Sequence, residues 1–363
     1  MFRKLIHLSV EKPKTIFFIT AFLAFIGLLQ FPRIKIDTDP ENMLSEKEFV
    51  RIFHDQTKKE FALYDFIVLG IVNEQDKNGV FTPQTLNRIF SITEQIKTIN
   101  GVISREIIAP STKDNIRQAG PGVVLFEWLM KEPIKTQEQA ETIRDEALDN
   151  PMFRGSMVSE DGKALCLYIP IEKKNMSYRI SREIRKIIAS QNSNDSEKYY
   201  ITGLPVAEDT FGFEMFKQMA VSAPLAGLII FLLMLWFFRK VKMIIPPMLL
   251  AVATIIMTMG LLIGLGFPVH IMSSMIPIFL MPIAVLDSVH ILSEFFDKYR
   301  RFKDKKTAIL HVMQELFTPM LFTSLTSAVG FFSLSFSPIP PVQTFGVFVS
   351  IGIMLAWVLT ITF

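Results

Sequence analysis

An aspartate interrupts a long apolar segment in the stretch PIAVLDSVHILSEFF, residues 282–296. Asp287 is followed by Ser288 and, three residues later, by His290, so the carboxylate and the imidazole share one face if this segment is a helix. Both groups can gain and lose protons, and an acid facing the interior of a membrane bundle is the default candidate for a proton or ion relay. The sequence therefore predicts a relay site made of Asp287, Ser288 and His290.

Two alternatives remain open for this segment. A charged residue at the centre of a membrane helix costs about 2.5–3.5 kcal/mol, so the helix could instead end early and leave Asp287 among lipid headgroups. His290 could equally be an interfacial histidine. Against the first alternative, the apolar pattern continues after Asp287, and charged residues resume only at Glu294.

A second group of polar side chains lies in the segment TSLTSAVGFFS. Its hydroxyls belong to Thr323, Ser324, Thr326 and Ser327. Such hydroxyls either allow close helix packing, with hydrogen bonds to carbonyls of their own helix, or solvate a carboxylate on a neighbouring helix. Two prolines, Pro277 and Pro282, precede Asp287, and we expect them to kink its helix because proline lacks the backbone donor.

Membrane helices must position these side chains. A helix needs about 20 mostly apolar residues to cross the ~30 Å hydrocarbon core of a bilayer. Six such segments are predicted, at residues 15–31, 221–238, 244–267, 271–292, 316–336 and 342–363. The first is interpreted as an anchor rather than a cleaved signal peptide, because no A-x-A-like site follows it. The fold class is thus an α-helical membrane protein with six transmembrane helices in a lipid bilayer.

Basic residues indicate how the helices are oriented. Lysines and arginines cluster before the first helix (Arg3, Lys4, Lys12, Lys14), between the second and third, and between the fourth and fifth. The loops on the other side, GFPVH and SPIPP, carry none. The positive-inside rule then places the N-terminus of region 1–31 in the cytoplasm and region 32–220 outside it. Region 221–363 holds the other five helices, with residues 294–313 predicted as a cytoplasmic amphipathic connector.

The outer region alternates strand and helix patterns. YDFIVLGIV reads as a strand, TPQTLNRIFSITEQIKTI as a helix capped by Thr82, and VISREIIA as a second strand. KALCLYIPI, SYRISREIRKIIAS and KYYITG repeat the order. Two strand–helix–strand units predict an α+β ferredoxin-like domain, into which GPGVVLFEWLM and TQEQAETIRDEAL insert as extra helices.

Several kinds of chemistry have no motif here. The sequence contains no Walker-type G-x-x-x-x-G-K-[ST], no H-E-x-x-H, no C-x-x-C and no G-x-S-x-G. Its 5 histidines are scattered, its single cysteine cannot form an intramolecular disulfide, and its net charge of +3 does not indicate a nucleic-acid partner. We therefore predict neither an enzyme nor a metal or other cofactor, and expect any work to be driven by an ion gradient or from outside the chain.

Three stretches resemble a known family. DTDPENML after the first helix, GLPV before the second, and TSLTSAVGFFSLSFSPIPPVQTFGVFVSIGI are similar to RND superfamily exporters of the MMPL and hydrophobe/amphiphile-exporter branch. The membrane region of this branch is shared with sterol-sensing domains. The resemblance implies proton-driven export of lipids or other hydrophobic or amphiphilic molecules across a bacterial cytoplasmic (inner) membrane. It places the relay acid on Asp287, whereas Ser288 stands where many members have a tyrosine.

The resemblance also implies a partner. Such exporters have twelve spans in two pseudo-repeated halves, each with a ferredoxin-like porter domain. The chain would then be an N-terminal half that works with a C-terminal half or as a homo-oligomer. The alternatives are a non-transporting sterol- or lipid-sensing membrane protein and an accessory subunit of protein export. The substrate, and the choice between protons and sodium as coupling ion, are left open.

Overall fold

The chain divides into an α+β unit and a membrane unit. The computed structural model describes residues 9–120, 123–191 and 196–363. The α+β unit comprises Phe53–Thr210, and the membrane unit comprises Met1–Ile52 and Phe211–Phe363. Arg3 and Lys4 of the predicted N-terminal basic cluster lie outside the described residues.

The elements follow one another in a simple order. The first helices are α1 (Pro13–Leu28) and α2 (Phe49–Glu60). Next come β1 (Asp65–Val72), α3 (Pro83–Ile96), β2 (Asp114–Gly120), β3 (Val123–Trp128), α4 (Gln137–Asp149), β4 (Ala164–Ile171), α5 (Ser177–Ser190) and β5 (Lys198–Thr202). The last are α6 (Leu204–Phe238), α7 (Val241–Gly264), α8 (Ile276–Phe302), α9 (Lys305–Phe332) and α10 (Pro340–Thr362).

The α+β unit is built on an antiparallel sheet of order β4-β1-β5. Leu69 in β1 lies opposite Leu167 in β4 and Ile201 in β5. The predicted strand VISREIIA is not regular, but its ends pair with the free edge of β4 through the bridges Val102↔Ile171 and Ile108↔Tyr168. With this irregular fourth strand, the order is that of the predicted ferredoxin-like fold.

One face of the sheet carries the core. Alternate β1 residues Ile67, Leu69 and Ile71 are fully buried, as the period-2 pattern requires. They share one cluster with apolar side chains from α3 and α5. The predicted N-cap of α3 is confirmed, because Thr82 Oγ1 accepts a hydrogen bond from the Thr85 backbone N–H at 3.2 Å.

One predicted insertion is wrong and one is confirmed. The stretch GPGVVLFEWLM was predicted as a helix, but its described residues contain β3, which pairs antiparallel with β2. The β-branched and aromatic run of Val123–Trp128 explains the strand, since these side chains favour the extended backbone. TQEQAETIRDEAL forms α4, capped by a reciprocal pair of hydrogen bonds between Thr136 and Gln139.

A buried acid ties β5 to α3. The carboxylate of Glu197 pairs with the guanidinium of Arg88 and accepts hydrogen bonds from Thr85 Oγ1 and Tyr199 Oη, both at 2.7 Å. Burial, together with the hydrogen bond to Glu197, raises the pKa of Tyr199 above its usual range. The network holds a polar cluster inside an otherwise apolar layer.

This network predicts a pH dependence of stability. An unfolded tyrosine ionises near pH 10, whereas folded Tyr199 keeps its proton, so its contribution is present below about pH 10 and is lost as the pH rises further. Tyr199→Phe has no proton to lose, and its melting temperature should fall less steeply above pH 10. Tyr200→Phe, at the exposed neighbour, is the matched control and should follow the unchanged chain. Parallel pH profiles for both variants would contradict this assignment.

The membrane unit confirms the six predicted spans. Among the described residues, six helical segments are long and apolar enough to cross a membrane. They are Pro13–Arg33, Leu204–Phe238, Val241–Gly264, Ser273–Phe302, Lys305–Phe336 and Pro340–Thr362. The second and fifth begin well before the predicted residues 221 and 316, because polar residues extend both helices beyond their apolar parts.

The predicted connector 294–313 is not a separate helix. Instead α8 continues to Phe302, and α9 starts at Lys305 after a tight turn with Lys303 in the left-handed conformation. Lys298 Nζ contacts Glu315 at 2.7 Å across the two helices. The amphipathic pattern therefore belongs to the polar ends of a helical hairpin. We call the end of the membrane unit with this turn and with Arg239–Lys240 the basic end.

Glycines bring the helix backbones together. A Cβ on Gly260 of α7 would lie 2.4 Å from the Cα of Gly27 in α1, and a Cβ on Gly346 of α10 would lie 2.5 Å from the Phe331 carbonyl oxygen. A Cβ on Gly352 would lie 2.5 Å from the Leu280 side chain of α8. Such close approach is how membrane helices gain packing energy. Consequently α10 is the most buried span, whereas α1 and α6 are mostly exposed.

Replacing one of these glycines should destabilise the membrane unit. Gly260→Ala places a methyl group against a helix backbone that cannot yield easily, and overpacking typically costs about 1–3 kcal/mol. Gly330→Ala is the control, since a Cβ there meets nothing within 4 Å and the change gains helix propensity. We expect a lower melting temperature in detergent for the first variant only. Equal stability of the two variants would show that the contact between α1 and α7 is not tight.

Candidate intramembrane relay site

Asp287 lies inside the bundle rather than at its surface. The buried side chains of α8 recur at helical spacing, and the carboxylate belongs to this stripe together with Ala284 and Ile291. Asp287 is 7% exposed. Because α8 starts at Ile276 and continues to Phe302, about three turns of helix precede the acid and about four follow it, so the helix does not end early at Asp287.

The described partner of Asp287 is a hydroxyl of the neighbouring span. Ser324 Oγ of α9 donates to Asp287 Oδ2 at 3.2 Å, and Ser324 is itself 4% exposed. Within the described part of the chain, Asp287 has no cationic side chain at ion-pair distance. The site is therefore an acid held by one neutral donor in an apolar surrounding.

The two other predicted relay residues make no described hydrogen bond with Asp287. Ser288 is buried and lines a cavity of about 280 Å³, which also meets Pro246, Thr360 and Met313. This cavity lies towards the basic end, near the starts of α7 and α9. His290, in contrast, is exposed on α8, yet it is close enough to Asp287 for a Coulombic interaction.

The four predicted hydroxyl residues of α9 also differ in whether they contact Asp287. Thr323 Oγ1 donates to the Pro319 carbonyl and Thr326 Oγ1 to the Thr323 carbonyl, both at 2.9 Å, and both threonines are exposed. Ser327 is half-buried. Of the four predicted residues, Ser324 is thus the one that the structure brings to Asp287.

The prolines differ in position. Pro277 occupies the second residue of α8, where a helix needs no backbone donor, so the prediction that it kinks the helix is wrong. Pro282 lies inside α8 and leaves the carbonyl of Ile278 without its usual donor, five residues before Asp287. Pro282 therefore stays the candidate for a local distortion.

A polar cluster at the end opposite the basic end was not predicted from the sequence. Asn42 Nδ2 donates to both carboxylate oxygens of Asp37, at 2.9 and 2.8 Å, and Asp37 Oδ2 lies 3.4 Å from His270 Nδ1. Arg51 Nη2 donates to Asn42 Oδ1 at 2.7 Å. The cluster joins the DTDPENML segment to the loop before α8. The only available signal was that the predicted topology puts Asp37 and His270 on one side of the membrane.

A comparison with protein families identifies the family of this chain. A model described as the MMPL family matches residues 108–363 of the chain. The chain belongs to the MMPL family. The match covers α6–α10 and so includes Asp287 and Ser324. MMPL proteins are membrane transporter domains of the RND superfamily, which confirms the predicted resemblance.

One relative matches the MMPL chain over nearly its full length. MJ1562 of the archaeon Methanocaldococcus jannaschii, whose name describes it as a membrane protein, is 20% identical over 372 residues. The alignment covers 99% of this chain and 91% of the relative. The chain is accordingly a multi-pass membrane protein.

The contact between Asp287 and Ser324 predicts a stability difference between neighbouring hydroxyls. Ser324→Ala removes the donor to a buried acid, which typically costs about 1–3 kcal/mol. Thr323→Ala, one residue earlier, removes only an exposed bond within its own helix and should change stability by less than about 0.5 kcal/mol. Unfolding in mixed detergent would measure both. A larger loss for Thr323→Ala would exclude this packing of α8 against α9.

Proposed function

We propose that this MMPL protein is an RND-type exporter of lipids or other hydrophobic or amphiphilic molecules, driven by the proton-motive force, and that it is not an enzyme. Asp287 is the group that takes up and releases the coupling ion. Family membership supports membrane transport, and the buried acid supports its coupling to protons.

The observation that carries this proposal is the single neutral donor of Asp287. One hydroxyl cannot replace the hydration shell of a carboxylate, so the charged acid needs further contacts or water. The charged and neutral forms therefore favour different packings of α8 against α9. A change of packing that follows proton uptake is what a transporter needs to alternate between two access states.

The cavity beside Ser288 supports a route to this acid. Ser288, Thr360 and Thr362 are among its lining residues, and it lies towards the basic end. The positive-inside rule places that end in the cytoplasm, in a cytoplasmic (inner) membrane, with the α+β unit on the other side. In this proposal the cavity links Asp287 to the cytoplasm.

The proposal includes a second six-span unit. The family resemblance implies two halves that surround one transport path, so a second copy of this chain or a further segment would supply the other half. The molecular mass of the purified complex, measured by light scattering in detergent, would decide between a monomer and a homo-oligomer.

Lipid sensing without transport remains the second candidate, because the membrane unit contains an apolar groove. The groove lies between α6, α7 and α8 and has a volume of about 510 Å³. Its residues, among them Pro224, Gly227, Phe231, Val252 and Met281, are all apolar, as for a site that accepts a lipid or sterol. An exporter would use it for substrate entry, whereas a sensor would use it for ligand binding alone.

Efflux from vesicles tests the role of Asp287. Membrane vesicles containing the whole protein are loaded with a fluorescent phospholipid analogue and energised with a proton gradient. Asp287→Asn keeps the size of the side chain but cannot ionise, so gradient-dependent transport should fall to the level of vesicles without the protein. Asp297→Asn, at an exposed position of the same helix, should transport normally. Undiminished transport by Asp287→Asn would rule out the relay.

The same vesicles separate transport from sensing. Collapse of the gradient with a protonophore should abolish the efflux of an exporter. A lipid sensor would instead keep its ligand binding and show no gradient-dependent flux in any variant.

A further inference from the structure

A second groove lies on the membrane surface of α1, α7 and α10, away from Asp287. Its volume is about 550 Å³. It starts at the end of the bundle opposite the basic end, beside Gln30 and Arg33, and runs along α7 from Gly264 to Met257. At 1.5 Å per residue, this is a length of ~10 Å into the apolar layer.

Three glycines line this groove. Gly27 and Gly260 bring α1 and α7 into backbone contact there, and Gly264 follows one turn later on α7. A Cβ on Gly264 would lie 3.2 Å from the Gln30 side chain, so the polar end of the groove rests directly on the helix backbone. The groove is thus a consequence of the backbone contact that also sets the distance between α1 and α7.

The end of the groove that lies opposite the basic end carries a cation, Arg33. Arg33 is exposed, and its Nη1 donates to Gln30 Oε1 at 3.3 Å. No acidic residue lines the groove, and among the described residues Arg33 has no carboxylate at ion-pair distance. A guanidinium in this setting keeps most of its donors for an anion, and its planar fork matches a phosphate.

The rest of the groove, which runs along α7 towards Met257, is apolar. Its walls are side chains of Leu23, Leu261, Ile351 and Leu355, several of which are exposed at the bundle surface. An exposed apolar surface in a membrane helix faces acyl chains. The groove therefore presents a phosphate-binding group and a chain-binding surface in the order in which a phospholipid carries them.

We propose that this groove binds an anionic phospholipid of the membrane leaflet at that end of the bundle. The phosphate accepts hydrogen bonds from Arg33 and Gln30, and one acyl chain lies along α7 over the three glycines. The occupant is a lipid rather than a soluble phosphate, because the cation opens directly into an apolar groove. This proposal does not rest on the proposed export function, since its residues lie on α1, the turn that follows it, α7 and α10, whereas the proposed relay acid lies on α8.

The bound lipid would contact both α1 and α7 and so stabilise the packing of α1 against the bundle. That helix is mostly exposed and contacts α7 through its glycine face. A lipid bound to Arg33 at the end of α1 and to α7 along its length would hold the two helices together. We therefore expect anionic lipid to raise the melting temperature of the protein as well as to bind.

Native mass spectrometry of the full chain tests the proposal. The protein is reconstituted in nanodiscs of equal parts phosphatidylglycerol and phosphatidylcholine with identical acyl chains, and the retained lipids are counted. We expect the unchanged protein to retain phosphatidylglycerol preferentially, and Arg33→Gln to lose this preference by roughly fivefold. Lys35→Gln removes the same charge two residues later from an exposed side chain outside the groove and should retain the preference.

A second variant keeps the test independent of the head group. Leu261→Trp fills the apolar part of the groove from an exposed position and should displace both lipids without changing the melting temperature in lipid-free detergent.

Equal preference in Arg33→Gln and Lys35→Gln would overturn the proposal. So would full competition by soluble glycerol phosphate, which would indicate a free anion site. An altered oligomeric mass in Leu261→Trp with unchanged lipid retention would overturn it in favour of a second copy of the chain covering the groove.

Discussion

Direct contact between helix backbones sets the spacing of the membrane unit. Lipid tails are as apolar as leucine, so no hydrophobic force draws membrane helices together, and close packing supplies much of the attraction. Gly346 and Gly352 let α10 approach α9 and α8, so both helices pack against the same buried helix as well as against each other. The hydroxyl of Ser324 reaches Asp287 because of this spacing. A site made of polar side chains thus depends on residues that have no side chain.

The sequence located the membrane helices and the acid but not the contact between them. Apolar length alone predicts a span, and the basic loops predict its direction, because both depend on composition. The partner of Asp287 depends on how far α8 and α9 are rotated about their axes. Four hydroxyls within five residues of α9 gave no reason to prefer Ser324 over Thr323, which points away. The predicted connector failed for a related reason, since an amphipathic pattern does not reveal that its polar residues pair with another helix.

In the α+β unit, too, local sequence patterns predicted the elements but not all of the contacts between them. Strand and helix periodicity identified β1, α3, β4, α5 and β5 correctly, and their order implied the fold. The segment 102–108 has a strand composition, yet a short 3₁₀ turn at Ser104–Glu106 interrupts it, so only its ends pair with β4. The polar network around Glu197 joins residues more than a hundred positions apart. Neither feature follows from local pattern.

The tight turn between α8 and α9 limits how the two residues of the candidate relay site, Asp287 and Ser324, can move relative to each other. The two helices, of 27 and 28 residues, form one helical hairpin. They are joined through Lys303 and Asp304 and linked by the ion pair of Lys298 and Glu315. The hairpin can tilt or slide as a rigid body without separating Asp287 from Ser324. Only a twist of one helix against the other exchanges the faces they present, because each residue adds about 100° around the axis. Torsion within the hairpin is therefore the motion by which the proposed relay acid, Asp287, would exchange Ser324 for another partner.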